Sequence, residues 1–175
     1  LISTTAHWAE LLNFDLNNVD YPALQALVAQ SVQIKEGIVE QDPFEKGIRK
    51  ALNLGHTVGH AFESLALETH HPVLHGYAVA WGIVCELYFS YLKVGFPKDK
   101  LRQTIQFIKE NYGVLTFDCK QYDRLYEFMT HDKKNSAGII NFTLMGNIGD
   151  IRINESANKE EIFDILDFYR ETMGC

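Results

Sequence analysis

Apolar positions along this chain recur mainly at helical spacing. From Pro22 the run PALQALVAQSVQIKEGIVE sets Leu24, Leu27, Val28, Ser31, Ile38 and Val39 on one face behind a first-turn proline, which predicts a long amphipathic helix. A shorter helix is predicted over Ala6–Phe14, with Thr5 as its cap. From Ala78 the run AVAWGIVCELYFSYLKV is apolar nearly all round, so it predicts a helix buried on several sides and ended by Gly95 and Pro97. Pro97–Tyr112 turns Leu101, Ile105 and Ile108 inward and Lys100, Gln103 and Lys109 outward, with Gly113 closing it. Tyr122–Thr130 reads as a short helix and Asn158–Met173 as a capped amphipathic one. Only Ile139–Leu144 and Asp150–Ile153, around GNIG, read as a β-hairpin. The pattern therefore predicts a mainly α, multi-helix domain with one small β-hairpin, a single unit over residues 1–175 without repeats or linkers.

One stretch inverts the ordinary amphipathic rule. If most of RKALNLGHTVGHAFESLALETHHPVLHG, residues 49–76, were one helix, then Arg49, Asn53, His56, His60 and Glu63 would share a stripe within roughly an 80° arc. Apolar residues flank that line, which suits a site wall better than a solvent face. His75 follows after a loop containing His70, His71 and Pro72. Three histidines in such a neighbourhood favour either a metal site or a proton-transfer site, and spacing alone leaves both open. The HxxxH pair lacks the Glu that a zincin carries after its first His, because Thr57 stands there. The plain alternative is a pair of histidines that only hydrogen-bond a helix turn.

A second irregularity is Lys35, near the centre of the apolar face of the Pro22 helix. Lysine normally avoids a buried stripe, so its position predicts a buried anionic partner or ligand. Lys133 and Lys134 are adjacent in the loop HDKKNSAG, where two like charges are ordinarily solvated.

Composition narrows the function classes. The 16 Lys and Arg against 23 Asp and Glu give a net charge of −7, which argues against a nucleic-acid or membrane-surface role. The 175 residues suffice for one domain with a substantial core. The longest apolar run, Ala78–Val94, contains Glu86 and Lys93 and falls short of a membrane span. Cys85, Cys119 and Cys175 form no CxxC pair, so reduced thiols in a cytoplasmic protein are expected, with Cys85 in the core. Against this acidic background, Lys35, Arg49, Lys133 and Lys134 beside candidate metal histidines suit a small phosphorylated or carboxylated substrate.

The ordered motifs IKEGIVEQDPFEKGIRK, LNLGHTVGHAFE, LHG and DKKN, running from Lys35 to Asn135, resemble the carboxy-terminal domain of 3-dehydroquinate synthases. The resemblance implies a phosphate-eliminating carbon–oxygen lyase. It would convert 3-deoxy-D-arabino-heptulosonate 7-phosphate to 3-dehydroquinate in the shikimate route to aromatic amino acids, with NAD and a divalent Zn²⁺ or Co²⁺ ion. It implies His56 and His75 as metal ligands and His60 in proton transfer. Lys35, Arg49, Asn53, Lys133 and Lys134 match positions contacting the substrate or its phosphate, with Lys35 and Arg49 also counted as catalytic. A homodimer is implied for the full-length protein.

Three features depart from the family pattern. The Glu ligand of an AExxK-like helix motif is not found, and LIS at residues 1–3 resembles the stretch just after it. Placing His7 at that Glu position would put Glu10 in place of the motif's Lys, and this alignment is rejected. The Gly-rich nucleotide-binding domain is absent, and Tyr77 follows LHG where the family often has Glu. The expectation is a fragment, inactive alone and weak in metal affinity. The alternatives are another sugar-phosphate cyclase, a glycerol-dehydrogenase-like enzyme, or a noncatalytic helical binding or oligomerisation module; a stand-alone metallohydrolase is weaker for want of ligands, unless Glu63 comes round to join them.

Overall fold

The structure, a computed structural model, describes residues 1–131 and 139–175. Lys133, Lys134 and Asn135 lie outside the described residues. Among those described, the chain forms α1 (Thr5–Leu12), α2 (Tyr21–Gln41), a 3₁₀ segment (Ile48–Asn53), α3 (His56–Glu68), α4 (His75–Val94), α5 (Lys98–Tyr112), a 3₁₀ turn at Cys119–Gln121, and α6 (Tyr122–Thr130). The hairpin strands β1 (Ile140–Asn147) and β2 (Asp150–Ala157) and the helix α7 (Lys159–Met173) complete it. This is the mainly helical domain with one antiparallel hairpin that the pattern predicts.

Local chemistry sets most boundaries. The Asp20 carboxylate accepts from Ala23 N–H at 3.1 Å, and Pro22 occupies the first turn of α2. Asn158 and Glu161 form a reciprocal capping box at the start of α7. Gly95, at φ +78, takes the left-handed conformation that ends α4. The cap of α1 is Thr4 rather than Thr5, its hydroxyl accepting from His7 N–H at 3.2 Å. Both strands extend beyond the expected hairpin, to Asn147 and Ala157.

α4 is the hub, packed against α3, α5, α7 and β1. Its nearly uniform apolar sequence follows from this position, and Ala78, Val84, Cys85 and Leu87 are all fully buried. Burial pushes the Cys85 thiol well above its ordinary pKa, which makes it a core residue rather than a nucleophile. Phe62 of α3 completes the core, with its ring 5.3 Å from Phe117 and 5.1 Å from Tyr169.

The expected single helix through Arg49, Asn53, His56, His60 and Glu63 is interrupted. Arg49 and Asn53 belong to the 3₁₀ segment, and α3 starts only at His56. The break has two causes. Asp42 gathers the N–H groups of Lys46, Gly47 and Arg49 at 3.0, 2.7 and 3.1 Å, which winds the preceding turn and holds this carboxyl below its usual range, Lys46 first. Gly55 then adopts φ +81, a conformation no helix continues through.

Lys35 also departs from expectation. It is exposed on α2, along a groove with Leu11, Leu24, Leu27, Val28, Ser31 and Val32. The buried stripe is not realised, because Val28 is 53% and Val32 56% exposed, and Ile38 is the one buried residue of α2. His7, by contrast, is 4% exposed, and its Nε2 lies 3.0 Å from Ser31 Oγ, tying α1 to α2.

Candidate functional site

Where α3 and α4 meet, their backbones come into contact through glycine. A Cβ on Gly82 would collide with the Gly55 carbonyl oxygen and lie 2.6 Å from Gly59 N, and one on Gly59 would lie 3.0 Å from Ala78 O. Larger residues would hold the helices apart. The fully buried Glu86 of α4 reaches across the crossing, accepting from Gly55 N–H at 2.6 Å and Val58 N–H at 3.1 Å. A carboxylate thus satisfies two otherwise unpaired donors at the N-terminus of α3 and favours its positive dipole end. The residue next to Gly55 is His56.

Three imidazoles gather at this junction. His56 opens α3, His60 follows one turn later, and His75 opens α4, three residues before the helix start predicted at Ala78. Their ring centroids are 5.5 Å apart for His56 and His60, 5.4 Å for His56 and His75, and 5.6 Å for His60 and His75. Two imidazoles on one tetrahedral zinc hold their centroids about 5 Å apart, given Zn–N bonds near 2.1 Å. The observed rings are therefore at nearly ligating separation. Among the described residues, however, no group of three or more His, Cys, Asp or Glu residues is arranged to hold a metal ion.

Two ring orientations carry further information. His56 Nδ1 lies 3.1 Å from Leu54 O, and His75 Nδ1 lies 3.0 Å from Glu63 Oε2. Both partners are acceptors, so each Nδ1 carries the proton and the lone pair of the neutral ring resides on Nε2. The donor chemistry therefore fits a divalent metal held by Nε2 atoms of His56 and His75. Tyr77 turns elsewhere, with its ring 6.0 Å from Trp81 and 5.3 Å from Tyr112.

The candidate substrate contacts are divided among different places. Asn53 donates to Glu45 Oε1 at 2.6 Å and lines a cavity of about 370 Å³ with Lys50, Thr57, Asn141, Thr143 and Asn154. Arg49 Nη1 donates to Pro43 O at 2.6 Å. Lys35 lines the separate groove on α2. Lys50 donates to Asn154 Oδ1 at 2.7 Å; Asn154 takes φ +59 where the hairpin register shifts. Lys50, Glu45 and Glu86 were not singled out by sequence pattern as site residues. The one signal for Glu86 was a carboxylate in an otherwise apolar helix.

The chain has relatives among known proteins. The family described as 3-dehydroquinate synthase C-terminal matches residues 1–135. The 3-dehydroquinate synthase of Parabacteroides distasonis is 59% identical over 174 residues, covering 99% of this chain and 49% of that protein. That of Leptospira interrogans is 37% identical over 165 residues, covering 93% of this chain and 45% of its own length. The chain thus spans about half the length of the curated relatives it matches. Among solved structures, 2-epi-5-epi-valiolone synthase from Streptomyces hygroscopicus, with NAD⁺ and Zn²⁺ bound, aligns with a TM-score of 0.79 at 16% identity, over 98% of this chain and 48% of that one. A 2-deoxy-scyllo-inosose synthase complexed with carbaglucose-6-phosphate, NAD⁺ and Co²⁺ aligns at 0.69 and 16% identity, over 94% and 49%. At that identity the likeness is one of fold. Among the described residues, no helix is long and apolar enough to cross a membrane. The match over residues 1–135, together with the 59% identity, shows that this chain belongs to the 3-dehydroquinate synthase C-terminal family.

Proposed function

We propose that this chain is the metal- and substrate-binding part of a 3-dehydroquinate synthase. The full-length protein converts 3-deoxy-D-arabino-heptulosonate 7-phosphate to 3-dehydroquinate and phosphate as a cytoplasmic homodimer. The observation that carries this reading is the convergence of His56, His60 and His75 at the glycine crossing of α3 and α4. The 59% identity to a 3-dehydroquinate synthase favours this substrate over those of the cyclases that share only the fold.

In this reading His56 and His75 hold Zn²⁺ or Co²⁺ through Nε2. The bound metal supplies Lewis acidity toward the substrate hydroxyls, and NAD, bound mainly by sequence outside this chain, supplies a transient oxidation. His60, beside both ligands, moves a proton at the substrate. Arg49 offers a planar two-point contact to a carboxylate or phosphate, and Lys35 a point charge. Asn53 hydrogen-bonds the polar substrate, and Lys133 and Lys134 contribute charge at its phosphate.

The test is phosphate release from 3-deoxy-D-arabino-heptulosonate 7-phosphate with NAD and Zn²⁺. A protein extended to the length of the relatives releases phosphate, and the 175-residue chain alone releases none. Turnover by the short chain contradicts its role as a part; no turnover by the extended protein contradicts the assignment.

A further inference from the structure

Glu63 and His75 face each other across the connection between α3 and α4, with Glu63 Oε2 3.0 Å from His75 Nδ1. We propose, resting on the reading of His75 as a metal ligand, that Glu63 is a positioning residue: its carboxylate holds His75 as the Nδ1–H tautomer and turns Nε2 toward the metal.

An ionised carboxylate only accepts, so the ring nitrogen facing it must donate, and a neutral imidazole has only one N–H to give. The second ligand candidate obeys the same rule with a different acceptor, His56 Nδ1 lying 3.1 Å from Leu54 O. Two rings from two helices are thus each fixed at Nδ1 by an oxygen, one from the backbone and one from Glu63. Each presents the same nitrogen. Oxygen acceptors behind ligating histidines commonly set the tautomer and raise ligand basicity. The glycine contacts of Gly55, Gly59 and Gly82 fix the helix crossing. Glu63 and His75 are therefore presented by rigid elements rather than by a loop.

The competing explanation is a plain surface ion pair, since the two side chains are 38% and 52% exposed. Such a pair requires an imidazolium and contributes little. The two accounts differ once His75 is neutral: an ion pair is then gone, whereas the hydrogen bond that sets the tautomer persists.

The experiment is long-range ¹H–¹⁵N NMR of histidine-labelled, metal-free chain at a pH well above the ordinary imidazole range, followed by Co²⁺ titration. His75 is expected in the Nδ1–H form, to move toward Nε2–H in Glu63→Ala, and to return in Glu63→Gln, which keeps an acceptor oxygen. The Co²⁺ dissociation constant is expected to rise about 10- to 100-fold in Glu63→Ala and less in Glu63→Gln. A His75 tautomer that is Nε2–H from the start, or indifferent to Glu63→Ala, overturns the proposal. Loss of Co²⁺ binding in His75→Ala but not in Glu63→Ala rejects the role of Glu63 and leaves His75 a ligand. Binding indifferent to His75→Ala rejects the metal reading itself, whatever the tautomer.

Discussion

The α3–α4 side and the α1–α2 side of this molecule are built on opposite principles. On the first, helix backbones touch through Gly55, Gly59 and Gly82, a buried carboxylate caps the crossing, and the core residues Phe62 and Leu87 are fully enclosed. On the second, α2 buries one residue, and its stripe of Leu24, Leu27, Val28 and Val32 lines an open groove ending at Lys35. The contrast separates two ways of holding a functional side chain. The histidines are placed by contacts within this chain, whereas Lys35 stands on a face that the described residues leave open.

Substitutions can test that division. The largest effect is expected at the closed side, where Phe62→Ala empties a site bounded by Phe117 and Tyr169 and costs about 3–5 kcal/mol in urea unfolding. Next comes Gly82→Ala, whose added methyl meets the Gly55 carbonyl oxygen and Gly59 N. It is expected to cost about 1–3 kcal/mol and to disturb the histidine ring signals, since the helices must separate. On the open side the sign reverses. Among the described residues, a Cβ on Gly37 in the interior of α2 meets nothing within 4 Å, so Gly37→Ala is expected to stabilise by about 0.5–1 kcal/mol. The smallest effect is Val32→Ser, expected within about 0.5 kcal/mol in this chain because Val32 is already 56% exposed. A loss of 2 kcal/mol or more there, on the scale of a buried side chain, would mean that α2 is covered in solution and erase the contrast.

The same contrast explains what the sequence revealed. α5 and α7 were legible because each has a polar face, an apolar face and local end signals; Asn158 and Glu161 are three residues apart and cap α7 by themselves. The histidine cluster was legible because its members sit at helix starts near one another in sequence. Gly55 hid the break before α3: a 3₁₀ segment ahead of it left the Arg49-to-Glu63 spacing looking continuous, while the left-handed turn depends on Glu86, 31 residues away. The burial expected around Lys35 is not realised, because periodicity identifies an apolar stripe without saying what covers it. The Glu63–His75 contact needed the α3–α4 crossing, which glycine spacing encodes only in three dimensions.

His56 and His75 are the proposed ligands of a divalent metal. The most direct test is calorimetric titration of Zn²⁺ into this chain, its His56→Ala and His75→Ala variants, and a protein extended to the length of the relatives. With two protein ligands on a tetrahedral ion, the account predicts weak binding by the short chain, tighter binding by the extended protein, and loss in both with either substitution. Tight binding by the short chain that survives both substitutions would contradict it.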